Sequence, residues 1–390
     1  MRKNFSCSNF LIRAAVILTA FFTLLPIYSF SSSAIDIKPT KAQSISVSAK
    51  SAVLIETDSG KIIWQKNAGE KMPMASTTKI MTALVAIENY DVSASVEISP
   101  EAVGIEGSSV YLYEGERLTM EELLYAMLLE SANDAATAIA IEVGGSVEEF
   151  ADMMNQKARE LGLKSTHFTN PHGLDDEEHY TTAEELAKIT RAALSNDTFR
   201  QIVSTYKKTI PLNETEGVRL LINHNKLLKS YDGAIGVKTG YTKKSGRCLV
   251  SAAERDGVSL ICVTLSAPDD WNDHKNLFDY GFSRYESRSL CNIGDTFVHP
   301  VICGVEEYVV LSPISNVSVT VPRDSGEIIC TTELFPFSYA PVEKGEEIGR
   351  LIYTLNGEKI AEVPLCASYS VEKQPIKKNL WEKFLELLGF

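Results

Sequence analysis

The 390-residue sequence contains no two cysteines at C-x-x-C spacing. That removes zinc ribbons and thioredoxin-type redox motifs from consideration. Its seven cysteines are scattered, and a chain this long does not need disulfide staples. Cys7 lies at the extreme N-terminus, while Cys248, Cys262, Cys291, Cys303, Cys330 and Cys366 read as small apolar residues with free thiols. Histidine is sparse too, six in all, and His167 and His172 have Pro171 between them, a poor zinc arrangement. No metal site and no cofactor is expected. Positive charge is in deficit, 38 Lys and Arg against 51 Asp and Glu. The net charge of −13 excludes binding to nucleic acid through bulk attraction. There is no internal repeat and no low-complexity linker.

The longest stretch without charge lies near the N-terminus. Arg2, Lys3 and Arg13 precede Ala14–Leu25, twelve residues without charge, then Pro26 and the small residues Ser32, Ser33 and Ala34. This is the layout of a secretory signal peptide over residues 1–34, and it places the remainder outside the cytoplasm. Residues 1–34 carry those three basic residues and no acidic one, so cleavage makes the rest more acidic still.

Two compositional regimes follow. Residues 35–285 open with strand-like "SAVLIE" and "KIIWQK" around the turn "TDSG". Helices come next, with Thr119/Glu122, Ser146/Glu149 and Thr182/Glu185 each spaced as a capping box. "CLVSAAERDGVSLICVTLSA" then predicts two strands around Asp256-Gly257. Strands at both ends with helices between predict a sheet covered by helices, an α/β (α+β) domain. Residues 286–372 change to short β-rich runs broken by Gly, Pro, Asn and Asp, which predicts a small all-β domain. In residues 373–390, Leu380, Trp381, Phe384, Leu385 and Leu388 form one apolar stripe of an amphipathic helix, opposed by Lys378, Glu382, Lys383 and Glu386. It is too short to span a bilayer, and the expectation is that it lies on the outer face of the membrane.

The chemistry starts from "PMASTTKIMTALVAIENY", residues 73–90. After Lys79 it is apolar on nearly every side, so a buried helix carries an ammonium one turn from its start, three residues after Ser76. Burial lowers a lysine pKa, and a neutral amine beside a hydroxyl is a base for activating it. The S-x-x-K spacing alone says little, since Ser204 and Ser370 share it; only Ser76 stands before an apolar helix. Ser131-Ala132-Asn133 is the one S-x-N in the chain and sits at a break between two helical runs. Lys238-Thr239-Gly240 lies in "AIGVKTG", which alternates as a strand edge does, whereas Lys244-Ser245-Gly246 reads as a turn. A strand edge offers a backbone N–H for an oxyanion and a lysine and hydroxyl for a carboxylate.

S-x-x-K, S-x-N and K-T-G, in that order and 55 and 107 residues apart, are together specific. The chain resembles the low-molecular-weight penicillin-binding proteins, the serine-type D-alanyl-D-alanine carboxypeptidases. "NPHGLDDEEHYTTAEELA" (170–187), "NHNKLL" (223–228) and "GVKTGYTKKSGRCLVSAA" (236–253) agree. The resemblance implies a β-lactamase/transpeptidase-like domain that removes the terminal D-alanine from peptidoglycan stem peptides and is acylated by β-lactams. It implies Ser76 as nucleophile, Lys79 as its base and Ser131 as proton relay. Asn133 would orient the peptide or Lys79, and Lys238 and Thr239 would bind the terminal carboxylate beside Gly240. Tyr241, where the family often has His, would contribute its backbone N–H to the oxyanion hole with that of Ser76. His172 and Asp175 would shape a loop beside the cleft. D,D-endopeptidase action is an alternative within the same chemistry. A class A-like β-lactamase would carry an E-x-x-L-N loop, absent from residues 165–185, and a non-catalytic wall-binding protein would not need Ser76, Lys79 and Lys238 intact.

Overall fold

In the computed structural model of the chain, residues 45–212 and 217–375 are described; the signal-like segment and the amphipathic stripe lie outside them. The sheet of the first domain has five antiparallel strands in the order Ile62–Lys66, Ser51–Glu56, Val258–Leu265, Gly246–Arg255, Ala234–Thr242. Its first strand pairs with its last in sequence, from Ser51 opposite Leu265 to Glu56 opposite Leu260. The two ends of the domain thereby close on each other. The middle strands are buried on both faces, which is why they read as unbroken apolar runs rather than as alternation. Val53 and Ile55 face one core and Ala52 and Leu54 the other, as the period of two requires. The Asp256-Gly257 turn has both residues at positive φ, 50° and 76°, the backbone that a two-residue hairpin demands.

The helical layer fills one face. Its centre is the helix Lys79–Asn89, in which every residue from Lys79 to Ala86 is buried. Around it stand Met120–Leu129, Asn133–Gly144, Val147–Glu160 and Ala183–Leu194. The helix Asp270–Arg284 covers the opposite face. Thr119 and Glu122 form a complete reciprocal box. Thr182 caps Glu185 N, but the Glu185 carboxylate does not return to it. It accepts from Lys164 N, Ser165 N and Thr166 Oγ1 instead, stitching down the loop that leads to residues 170–181.

Beyond residue 285 the chain builds the β-rich part. Tyr285–Cys291 pairs with Val317–Pro322. A six-stranded sheet runs Ile328–Leu334, Glu347–Leu355, Glu358–Ala367, Tyr308–Pro313, Phe297–Ile302, Ser338–Tyr339. Val309, Leu311, Leu351, Val363 and Leu365 make its core. The six cysteines among the described residues are all free thiols.

Candidate active site

Three segments meet at one cavity of about 370 Å³. The first is a 3-10 turn, Ala75–Thr78, which precedes the helix instead of forming its first turn. Ala75 has φ +47°, an unfavourable conformation for a residue with a Cβ, and Ser76 follows it at the cavity wall. Thr78 Oγ1 donates to Ala75 O and meets His179 Nε2 at 2.8 Å, so the turn is tied from both sides.

Lys79 opens the helix and is fully buried. Its Nζ lies 2.7 Å from Asn133 Oδ1, 2.7 Å from His172 O and 3.2 Å from Ser76 Oγ. Burial drives its pKa well below the ordinary lysine value; the nearby positive Lys238 adds to this and Asp134 opposes it.

The second segment is the break between Leu129 and Asn133. Ser131 sits at φ +62°, buried but lining the cavity. Asn133 begins a helix, and beyond Lys79 it holds the preceding loop: its Nδ2 donates to Glu106 O and its N to Ser108 O. Asp134 accepts from Ser109 Oγ and from Val110 N and Leu112 N. The loop that brings Ser108 to the cavity is thus fixed by the residues next to Ser131.

The third segment is the edge strand Ala234–Thr242. Thr239, Gly240 and Tyr241 line the cavity. A Cβ on Gly240 would stand 3.1 Å from Ser76 N and 3.2 Å from Met74 O, so glycine lets the strand lie against the serine turn. Lys238 is behind the wall, buried, with Nζ on Thr239 O. Burial lowers its pKa to about 7, with Glu130 opposing. Tyr241 is exposed. Lys244 points to solvent in the turn that follows.

A fourth segment completes the wall behind Lys79. Gly173 has φ +88°, and a Cβ there would fall 2.0 Å from Ala75 O. Only glycine brings this loop close enough for His172 to present its carbonyl to Lys79. The His172 ring is held neutral, its pKa lowered to about 3 by burial and then by Lys79. Asp175 reaches across to accept from Thr242 Oγ1.

Part of the wall comes from residues given no role from the sequence, although His224, Lys226 and Arg247 fall within the quoted stretches 223–228 and 236–253. Arg247 Nε and Nη2 both donate to Asp270 Oδ1, at 3.0 and 2.8 Å, and Trp271, His224, Lys226 and Ser108 line the same cavity. The Arg247 and Lys226 cations lie 5.8 and 5.9 Å from the Trp271 ring centre. Arg247 is opposite Tyr241 in the hairpin, and that register was the available signal.

A profile of the D-alanyl-D-alanine carboxypeptidases, peptidase S11, matches residues 38–269, and the penicillin-binding protein 5 C-terminal domain matches residues 285–373. D-alanyl-D-alanine carboxypeptidase DacF of Bacillus subtilis is 35% identical over 353 residues, 86% of this chain and 90% of the relative. DacC of Escherichia coli is 31% identical, covering 86% and 88%. Among solved structures, penicillin binding protein 5 from Haemophilus influenzae superposes with a TM-score of 0.65 at 28% identity, covering 85% of this chain and 99% of that one. Fold and matches together define a low-molecular-weight penicillin-binding protein. The chain belongs to the D-alanyl-D-alanine carboxypeptidase family, and it is a serine-type carboxypeptidase, a hydrolase.

Proposed function

We propose that the protein hydrolyses the terminal D-alanine from peptidoglycan pentapeptide stems through an ester on Ser76, and that β-lactams acylate the same oxygen. The observation that carries this is the environment of Lys79 Nζ. A neutral amine has two N–H bonds and one lone pair. Asn133 Oδ1 and His172 O, both at 2.7 Å, take the two hydrogens, and the lone pair is left facing Ser76 Oγ at 3.2 Å. Depression of the amine's pKa by burial favours that form.

Ser76 Oγ attacks the penultimate D-alanine carbonyl while its proton passes to Lys79 Nζ. The backbone N–H groups of Ser76 and Tyr241 receive the developing oxyanion. The carbon–nitrogen bond breaks as the proton moves from Lys79, by way of Ser131, to the departing amine of D-alanine. Water then enters, gives a proton to Lys79 and attacks the ester; as the shortened stem leaves, Lys79 returns that proton to Ser76 Oγ, which restores both groups. Thr239 offers its hydroxyl to the terminal carboxylate, with the Lys238 charge behind it and the Arg247 guanidinium exposed on the same wall.

The signal-like N-terminus and the amphipathic tail support action at the outer face of the cytoplasmic membrane. No helix among the described residues is long and apolar enough to cross a bilayer. Mass spectrometry after incubation with a defined pentapeptide muropeptide tests the reading. The wild type should yield tetrapeptide and free D-alanine, and Ser76→Ala should yield neither and take up no labelled penicillin. Unchanged pentapeptide with the wild type would overturn the assignment.

A further inference from the structure

The β-rich part exposes an apolar sheet face. On Phe297–Ile302 burial alternates, so that His299 and Val301 turn inward while Val298, Pro300 and Ile302 face solvent. Neighbouring strands extend the outer face in register. Tyr308 is opposite Pro300, and Tyr339 is opposite Ile302. Phe337 stacks edge-on against Tyr339, ring centres 5.4 Å apart. Val298, Ile302, Tyr308, Phe337 and Tyr339 are between 42 and 69% exposed. An apolar surface three strands wide, with tyrosines among aliphatic side chains, has the composition of a membrane–water boundary.

The path of the chain says what it meets. Gly304 and Lys373 form an antiparallel bridge, Val305 N donates to Glu372 O, and Gln374 N donates to Cys303 O at 2.8 Å. The chain therefore leaves the sheet one residue from Ile302. Only residues 375–379 separate Gln374 from Leu380, the first apolar residue of the stripe. That tether reaches about 20 Å at full extension. A stripe seated in lipid cannot let this face stand far from the same lipid.

We propose that the outer face of the strands Phe297–Ile302, Tyr308–Pro313 and Ser338–Tyr339 rests on the phospholipid surface beside the tail, so that the enzyme is held by two apolar surfaces. The inference rests on the membrane-side reading of the tail and adds to it a second contact, which fixes the orientation of the catalytic part. Single-point attachment leaves a domain free to swivel, whereas two contacts do not.

Full-length protein is incubated with vesicles of phosphatidylcholine and phosphatidylglycerol in equal parts, and the bound fraction is measured by sedimentation. Ile302→Ser combined with Tyr339→Ser should lower the partition coefficient about tenfold or more, because two side chains that leave water on binding no longer do so. Val298→Ser with Tyr308→Ser should act alike, which guards against one pair misfolding. Acylation by labelled penicillin in solution should stay at the wild-type rate in both. Phe384→Glu in the tail separates the two readings. If wild type does not sediment with vesicles, the tail reading and this one both fail. If wild type sediments, Phe384→Glu releases it and both sheet pairs bind as wild type does, the sheet contact alone is overturned. Tighter binding by the sheet pairs would mean that the face holds the tail back from lipid. A shift from dimer to monomer with unchanged partition would make it a contact between two copies. Either result overturns the proposal.

Discussion

Arg219 and Glu116, 103 residues apart, form an ion pair closed off from water, with side-chain exposures of 8 and 0%. The fork is bidentate, and Arg219 also donates to Val110 O and Tyr111 O. It therefore grips the loop that Asp134 holds from the other side, the loop that carries Ser108 to the cavity. Removing one partner strands a buried charge. Glu116→Gln or Arg219→Met should destabilise the protein by about 3–5 kcal/mol, read as a lowered midpoint in urea. The Glu116→Gln/Arg219→Met double variant should recover part of that loss, since neither charge is then left unpaired.

Much of the fold was legible in the sequence, and the exceptions have a common physical cause. The middle strands of the five-stranded sheet read as apolar runs because both faces are covered, and Asp256-Gly257 read as a hairpin because few other dipeptides take two positive φ angles. The buried lysine at 79 stood out because nothing local in its helix pairs with it. By contrast, the 3-10 turn at Ala75 had no local signal, because alanine does not announce a φ of +47°. Arg219 lies in a short strand, Val218–Ile222, where it looks like one more outward polar residue, and its partner comes from a remote loop. The roles of Arg247, Asp270 and Trp271 escaped for the same reason, although Arg247 stands in a quoted stretch: their meaning lies in contacts between distant segments, and periodicity carries none of that.

The two lysines predict a pH profile for D-alanine release. In the proposed mechanism Lys79 acts in its neutral form, so activity should fall as acid protonates it, and the lowered pKa puts that limb far below the range of an ordinary lysine. Lys238 is proposed to support the substrate carboxylate in its charged form, and its pKa of about 7 then predicts a falling limb of kcat/KM near neutral pH. The bound carboxylate stabilises that charge, so the falling limb of kcat should lie at higher pH than that of kcat/KM. Steady-state rates across the pH range check both limbs. A kcat/KM that stays flat from pH 6 to 9 would remove Lys238 from carboxylate binding.

His274 predicts how acid unfolds the protein. Its ring is buried between Ser251 Oγ and Thr264 Oγ1, and burial lowers its pKa to about 3. The unfolded chain, with histidine near 6.5, binds this proton first. The contribution is fully present above about pH 6.5 and is lost as pH falls toward the folded value, by up to about 1.4 kcal/mol per pH unit. His172 and His179, lowered to about 3 and about 4, act in the same direction. Urea midpoints at pH 7, 6, 5 and 4 should decline with increasing slope. His274→Gln should lose stability at pH 7 yet show a shallower decline.

Gly173 predicts a loss of catalysis that a stability assay underrates. An alanine Cβ there would overlap Ala75 O at 2.0 Å and be strained at φ +88°. To accept it, the loop must withdraw from the serine turn, taking His172 O away from Lys79 Nζ. The amine then loses one of the two acceptors that aim its lone pair at Ser76. A shift of about 1 Å at a reacting pair costs about 100-fold in rate. Acylation of Gly173→Ala by labelled penicillin should slow by that order, while far-UV circular dichroism stays native. Because the defect lies in the aim of Lys79, raising the pH should not restore the rate. Recovery at high pH would show instead that the substitution had changed only the protonation of the amine.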